Sequence, residues 1–192
     1  MENEELFRIL AGKYPLRPEL KEKLNQMITR DVYSKNQIIL KPGQIADCSW
    51  FLEKGSAMGY MYTEDKKVTL WFCREGNLMI PVKSFFSQKP SDIYIKLLEP
   101  SIMSSITYDN MQDIKKTFPE SIDYINRVMQ KHHEEVENRF VDFAGSTNEE
   151  RYLHLWRDFP SIFLKASAES IAAYLGISRK TLYRIRTKTR RY

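Results

Sequence analysis

The spacing of hydrophobic positions changes its period along the chain. Over residues 5–30 it is helical. Leu6, Ile9 and Leu10 fall on one face and Leu20, Leu24, Met27 and Ile28 on another, with Pro15 and Pro18 interrupting the run between them. Between residues 32 and 106 the pattern becomes short apolar runs divided by turns. Ile38-Ile39-Leu40 runs into Lys41-Pro42-Gly43. Trp50-Phe51-Leu52 reaches Lys54-Gly55 and is answered by residues 58–62, which predicts a hairpin. A polar turn at Glu64-Asp65-Lys66-Lys67 precedes the run 68–73, and a second turn at Arg74-Glu75-Gly76-Asn77 follows it. Runs at 93–98 and 102–106 close the series. Many short strands at near-regular spacing predict a β-sandwich or jelly roll. After Tyr108 the period is helical again.

A long helix is the first element of that last region. Pro119 stands near its start, where a missing N–H costs little. Ile122, Ile125, Met129, His132, Val136, Arg139 or Phe140, and Phe143 follow three-four spacing, close to a heptad seam about three repeats long. Such a seam packs on the sheet domain or pairs with a copy of itself. We expect the pairing, hence a homodimer. His132 and His133 are adjacent, so on a helix they diverge by about 100° and cannot clamp one metal.

The most specific pattern lies near the end, from Ser167 through Ala172, Gly176 and Ser178 to Arg186. Ser167 is placed to cap a helix. Ile171, Ala172 and Leu175 form its apolar face, with Ala172 small where a second helix must cross closely. Gly176 supplies the positive φ of a sharp turn, Ile177 plugs the corner, and Ser178 caps a second helix with Leu182 and Ile185 facing inward. The opposite face carries Arg179, Lys180, Tyr183, Arg184 and Arg186. Each position of a helix-turn-helix is filled by a residue suited to it. The competing reading is an ordinary helical hairpin with a solvated basic face.

Charge supports the first reading. The net charge of +5 is unevenly spread: residues 151–192 hold ten Lys/Arg against two acidic residues, and no acid follows Ser178. A basic segment of this kind attracts phosphate backbones. Its second helix fits a DNA major groove. Arg179 and Arg184 are placed to pair bidentately with guanine, and Lys180 to reach a base or a phosphate. Ser167, Ser178, Thr181, Lys188, Arg190 and Arg191 suit phosphates, and Tyr183 either meets a thymine methyl or simply packs.

The order of parts resembles the Crp/Fnr family of bacterial transcription regulators over nearly the whole chain. Leu40-Lys41-Pro42-Gly43-Gln44-Ile45-Ala46-Asp47 is similar to the family's entry into its roll, and Phe51-Leu52-Glu53-Lys54-Gly55-Ser56 to its hairpin. The resemblance implies an α+β chain. Its parts are an N-terminal β-roll (a jelly roll, cyclic-nucleotide-binding-like) over 1–118, a dimerisation helix over 119–145 and a DNA-binding helix-turn-helix domain over 146–192. It also implies an inverted-repeat DNA site and contact with RNA polymerase. Members that bind cyclic nucleotides carry a Gly-Glu pair and, about nine residues later, Arg-Ser. Counted from Gly76, those positions hold Ile80-Pro81 and Pro90-Ser91, so only the serine survives. Lys83 offers charge without a guanidinium fork. The cassette is degenerate, and no cyclic nucleotide or other cofactor is expected. The second helix begins Ser178-Arg179-Lys180-Thr181 where the family commonly has Ser-Arg-Glu-Thr, which shifts the expected site preference. The sequence stops at Tyr192, so the β-hairpin that often follows in the family is not expected.

The remaining chemistry is sparse. Cys48 and Cys73 are too few for a disulfide scaffold, a four-cysteine metal site or the cysteine cluster of oxygen-sensing members. No histidine precedes His132, which excludes a His-ligated metal enzyme built on the roll. No apolar run nears the roughly 20 residues of a membrane span, and MENEELFRIL lacks the features of a signal peptide. A cytoplasmic, non-enzymatic protein with no membrane partner is expected. The alternatives are a regulator answering to a different small anionic effector or cyclic nucleotide, or an interaction module with a non-specific basic tail.

Overall fold

The computed structural model describes residues 3–11, 15–64 and 66–189. Two helices come first, α1 (Glu4–Ala11) and α2 (Pro18–Met27). Pro18 opens α2, where its missing N–H has no partner to lose. The helical run ends earlier than residue 30, because Ile28 adopts extended backbone and Thr29 already begins a strand.

Among the described residues eight strands follow: β1 (Thr29–Tyr33), β2 (Ile38–Leu40), β3 (Cys48–Lys54), β4 (Ser56–Tyr62), β5 (Lys67–Arg74), β6 (Asn77–Met79), β7 (Tyr94–Leu97) and β8 (Ser101–Thr107). A short helix, α3 (Val82–Ser87), separates β6 from β7. The strands form two four-stranded antiparallel sheets, β1-β8-β3-β6 and β2-β7-β4-β5.

The expected hairpin across Lys54-Gly55 is not formed. β3 pairs with β6 and β8, whereas β4 pairs with β5 and β7. Gly55, at φ 116°, carries the chain from one sheet into the other, and Ser101 leaves no space for a Cβ there. A tight turn shows that the chain bends; it does not make the flanking strands partners. The hairpin is β4–β5, closed where Thr63 N–H donates to Lys66 O at 2.9 Å.

Side chains from both sheets fill the space between them. Leu52, Ala57, Phe85, Ile95, Leu97 and Met103 are sealed from solvent. The Trp71 indole lies against Gly59, where a Cβ would collide with it. After β8 come α4 (Tyr108–Thr117), capped by Thr107, then α5 (Ser121–Gly145), α6 (Asn148–Asp158), α7 (Ile162–Lys165), α8 (Ala168–Leu175) and α9 (Arg179–Thr189). Thr147 and Glu150 form a reciprocal capping box at the start of α6.

A second core joins the roll to these last helices. Along β4, Ala57 faces the roll interior, while Met58 and Tyr60 point the other way and pack with Leu98, Tyr152, Leu155, Ile162, Ile171 and Leu175. α8 lies against β5. Polar contacts border this core. Lys67 Nζ donates to Ser170 Oγ at 3.0 Å, and Arg74 donates to the Asp158 carbonyl at 2.7 Å. Glu99 accepts from both Lys165 (2.7 Å) and Ser56 (2.8 Å). A third cluster, Phe7, Leu20, Leu24 and Ile114, fastens the N-terminal helices to α4.

Candidate nucleic-acid interface

α8 and α9 form a helix pair whose local features come from its own sequence. Ser167 Oγ accepts from Ser170 N at 3.1 Å and caps α8. Gly176 then takes left-handed backbone, φ 69°, and Ile177 N–H bonds back to Ala172 O at 3.0 Å. Ser178 Oγ accepts from Thr181 N at 3.1 Å, so α9 is capped as the sequence predicts. Ile171, Leu175, Leu182 and Ile185 are buried to 1% exposure or less.

The outer face of α9 is basic. Arg179, Lys180, Tyr183 and Arg184 are exposed together, with Thr181 half-buried beside them. Arg186 departs from the expected face: it is half-buried, with its guanidinium 5.6 Å from the Phe163 ring. Lys188 is exposed and pairs with Glu149 at 2.7 Å. Ser167 and Ser178 are exposed, with hydroxyls already engaged in capping. Arg190 and Arg191 lie outside the described residues.

Two arginines that sequence reasoning counted only as charge and seam position lock this pair to α5. Arg151 is buried. It donates to the carbonyls of Leu175 (3.2 Å), Phe143 (3.0 Å) and Ser146 (2.8 Å) and to Asn148 Oδ1 (2.6 Å). These bonds satisfy carbonyls left open at the ends of α5 and α8. Arg139 stacks 3.5 Å from the Tyr174 ring centroid and donates to the Tyr174 carbonyl. Burial pulls the Arg139 guanidinium below its ordinary range and raises the Tyr174 phenol. Phe143 reaches the turn itself, and a Cβ on Gly176 would lie 2.6 Å from its ring.

The seam on α5 meets different surroundings along its length. Ile125, Met129 and His132 are half-buried, with Ile125 packed on the roll core. Ile122, Val136 and Phe140 are 46%, 54% and 70% exposed. Val136 and Phe140 border an open cleft between the β4–β5 turn, α5 and the turn before α9.

The degenerate cassette residues meet varied surroundings. Gly76, at φ 78°, turns the chain between β5 and β6 beside Glu5 of α1. Pro81 is buried at the start of α3. Lys83 is exposed and paired with Asp92. Pro90 bridges to Ile45, and Ser91, buried, bonds the backbone of Ile93 at 3.1 Å. Burial pushes the Cys48 thiol up to about 11 and the Cys73 thiol up to about 12, so neither is a thiolate at neutral pH. Among the described residues no helix is long and apolar enough to cross a membrane.

No family model matches the chain, and no curated protein matches it. Solved structures do. The c-di-GMP responsive global regulator CLP from Xanthomonas campestris is 15% identical with a TM-score of 0.72, over 91% of this chain and 92% of its own. A transcriptional regulator of the Crp/Fnr family from Eubacterium rectale is 16% identical with a TM-score of 0.71, over 88% and 82%. The fold is that of the Crp/Fnr regulators. CooA from Carboxydothermus hydrogenoformans, at 18% identity and a TM-score of 0.64, extends the match to 97% of this chain and 84% of its own. The likeness thus runs through roll, long helix and helix-turn-helix in one order.

Proposed function

We propose that the chain is a homodimeric, sequence-specific DNA-binding regulator of transcription. Residues 1–118 form an effector-type roll, 119–145 the dimerisation helix and 146–192 the DNA-binding domain. The observation that carries this reading is the capped, glycine-turned pair α8–α9, with Arg179, Lys180, Tyr183 and Arg184 exposed on one face. α9 enters a major groove and α8 crosses the backbone. Arg179 and Arg184 read guanine, Lys180 a base or phosphate, and Tyr183 a thymine methyl. Ser167, Ser178, Thr181, Lys188 and Arg190 meet phosphates.

Two copies pair along α5, whose Ile122, Val136 and Phe140 are exposed and whose Ile125, Met129 and His132 lie beside them. Their recognition helices then sit about 34 Å apart and read an inverted repeat. The protein acts in the cytoplasm beside RNA polymerase, without enzymatic activity. Cyclic nucleotide is not its effector. Support comes from the buried Pro81, the Asp92-paired Lys83 and the inward-bonded Ser91. Selection of bound duplexes from a random pool, with and without cyclic AMP, tests this. The expected result is one inverted-repeat motif, recovered equally in both arms. No motif overturns the DNA reading, and a strong gain with the nucleotide overturns the reading of the cassette.

A further inference from the structure

Burial sorts the side chains of α5 into two lines. Ser121 is buried, Ile125 packs on the roll core, His132 is half-buried, and Arg139 stacks on Tyr174. At about 100° per residue these four form one line down the helix, about 40° wide. Ser121, Ile125 and Arg139 are taken up by the chain's own packing.

A second line runs beside the first, about 80° round the helix axis: Ile122, Asn126, Met129, His133, Val136 and Phe140. Its steps are four, three, four, three and four residues, the spacing of a coiled-coil seam. Met129 is half-buried and the other five are exposed. Periodicity alone does not separate the two lines, because both repeat every seven residues. Burial does.

The two polar members say what covers the second line. Asn126 and His133 stand seven residues apart, at the same place in successive repeats. An apolar groove laid over the line would strip water from both and return no partner. A second copy lying parallel and in register returns one to each. Asn126 then meets Asn126, and one carboxamide donates to the oxygen of the other. His133 meets His133, and one imidazole N–H faces the bare nitrogen of the other. Ile122, Met129, Val136 and Phe140 meet their own kind. Antiparallel overlap of the same line sets Asn126 on Val136 and His133 on Met129, a polar group on an apolar one in both cases.

We propose that α5 pairs in parallel and in register with α5 of a second copy along this line, and that the Asn126 and His133 layers set the register. The proposal rests on the homodimer reading and narrows it: Ile125 and His132 flank the seam and do not fill it. Parallel pairing also brings both helix-turn-helix units to one end of the dimer.

The test is disulfide cross-linking of the full chain under mild oxidation, beside sedimentation of the unsubstituted protein at the same micromolar concentration. Side chains that meet their own copy across such a seam bring their Cα atoms within the roughly 4.4–6.8 Å that a disulfide spans. Asn126→Cys and His133→Cys, both at exposed positions, should form covalent dimer roughly tenfold faster than Ile125→Cys or His132→Cys. The unsubstituted chain, with Cys48 half-buried and Cys73 buried, gives the background rate. Asn126→Val should tighten the dimer about tenfold, because a polar residue in a seam fixes register at a cost in stability. Weaker pairing of Asn126→Val overturns the role of Asn126. Faster cross-linking through Ile125→Cys and His132→Cys keeps the dimer and overturns this line. Covalent dimer that forms only when Asn126→Cys is mixed with Val136→Cys shows antiparallel pairing and overturns the register. A monomer in sedimentation overturns the homodimer reading, and the line falls with it.

Discussion

The two halves of α5 carry one repeat and meet different neighbours. In the first half Ile125 and Met129 are half-buried, with Ile125 against the roll. In the second half Val136 and Phe140 face solvent at 54% and 70% exposure, while Arg139 and Phe143 grip the helix-turn-helix. A heptad stripe therefore marks what a helix has to cover. What covers it is set by the tertiary arrangement.

The strongest challenge to this comparison is Arg151→Ala, on α6 just past the end of α5. It strips the donors from the Leu175, Phe143 and Ser146 carbonyls. A loss of about 3 kcal/mol is expected, from charge-assisted bonds in a buried network. Urea unfolding followed by Trp156 fluorescence checks it, and a shift under about 0.5 kcal/mol would show the arginine to be a passenger. Next comes a matched pair on the seam. Ile125→Asp should destabilise the roll by about 2–3 kcal/mol by placing a carboxylate against its core. Phe140→Asp should leave the thermal midpoint of the roll nearly unchanged and convert dimer to monomer in sedimentation at micromolar concentration. Similar unfolding effects from both would erase the distinction between the halves.

On the proposed DNA-binding face of α9, Arg184→Ala should cost about 1–3 kcal/mol on the selected operator and little on unrelated duplexes. Lys188→Ala should weaken all duplexes alike and reduce the salt slope by about one. Titration of both variants against operator and scrambled DNA separates the cases.

The smallest effect is one of pH. Burial alone would raise the Glu99 carboxyl, but hydrogen bonds from Lys165 and Ser56 outweigh it and hold the group below its ordinary value. A depressed carboxylate contributes stability above its unfolded pKa and loses it as pH falls through the folded value. Docking of α7 on the roll should therefore loosen below the ordinary carboxylate range, by less than about 1 kcal/mol because both partners are partly solvated. Hydrogen exchange of α7 amides at neutral and acidic pH reads this, and Glu99→Gln should flatten the difference.

The helix-turn-helix was legible because its instructions are local. Ser167, Gly176 and Ser178 each act within three or four residues of themselves. The sheet pairing was not, because nothing near Gly55 says which strand lies across the gap; the partners of β3 are β6 and β8, far along the chain. Docking of α8 on β5 does leave a trace in the sequence. Residues 68–73 read Val-Thr-Leu-Trp-Phe-Cys, without clean alternation, as expected of a strand covered on both faces. Trp71 turns into the roll while Phe72 meets Tyr174. Arg139 and Arg151 escaped because a basic residue in sequence carries no mark of the carbonyls it will meet.

The contact between Phe143 and Gly176 also bears on how the chain can change. Inserting or deleting one residue between Phe140 and Phe143 would swing the ring about 100° around the helix axis, off the turn. The last turns of α5 can therefore exchange side chains but not gain or lose a residue, and insertions tolerated in homologous chains should fall in the surface turns of the roll, such as that between β4 and β5, instead.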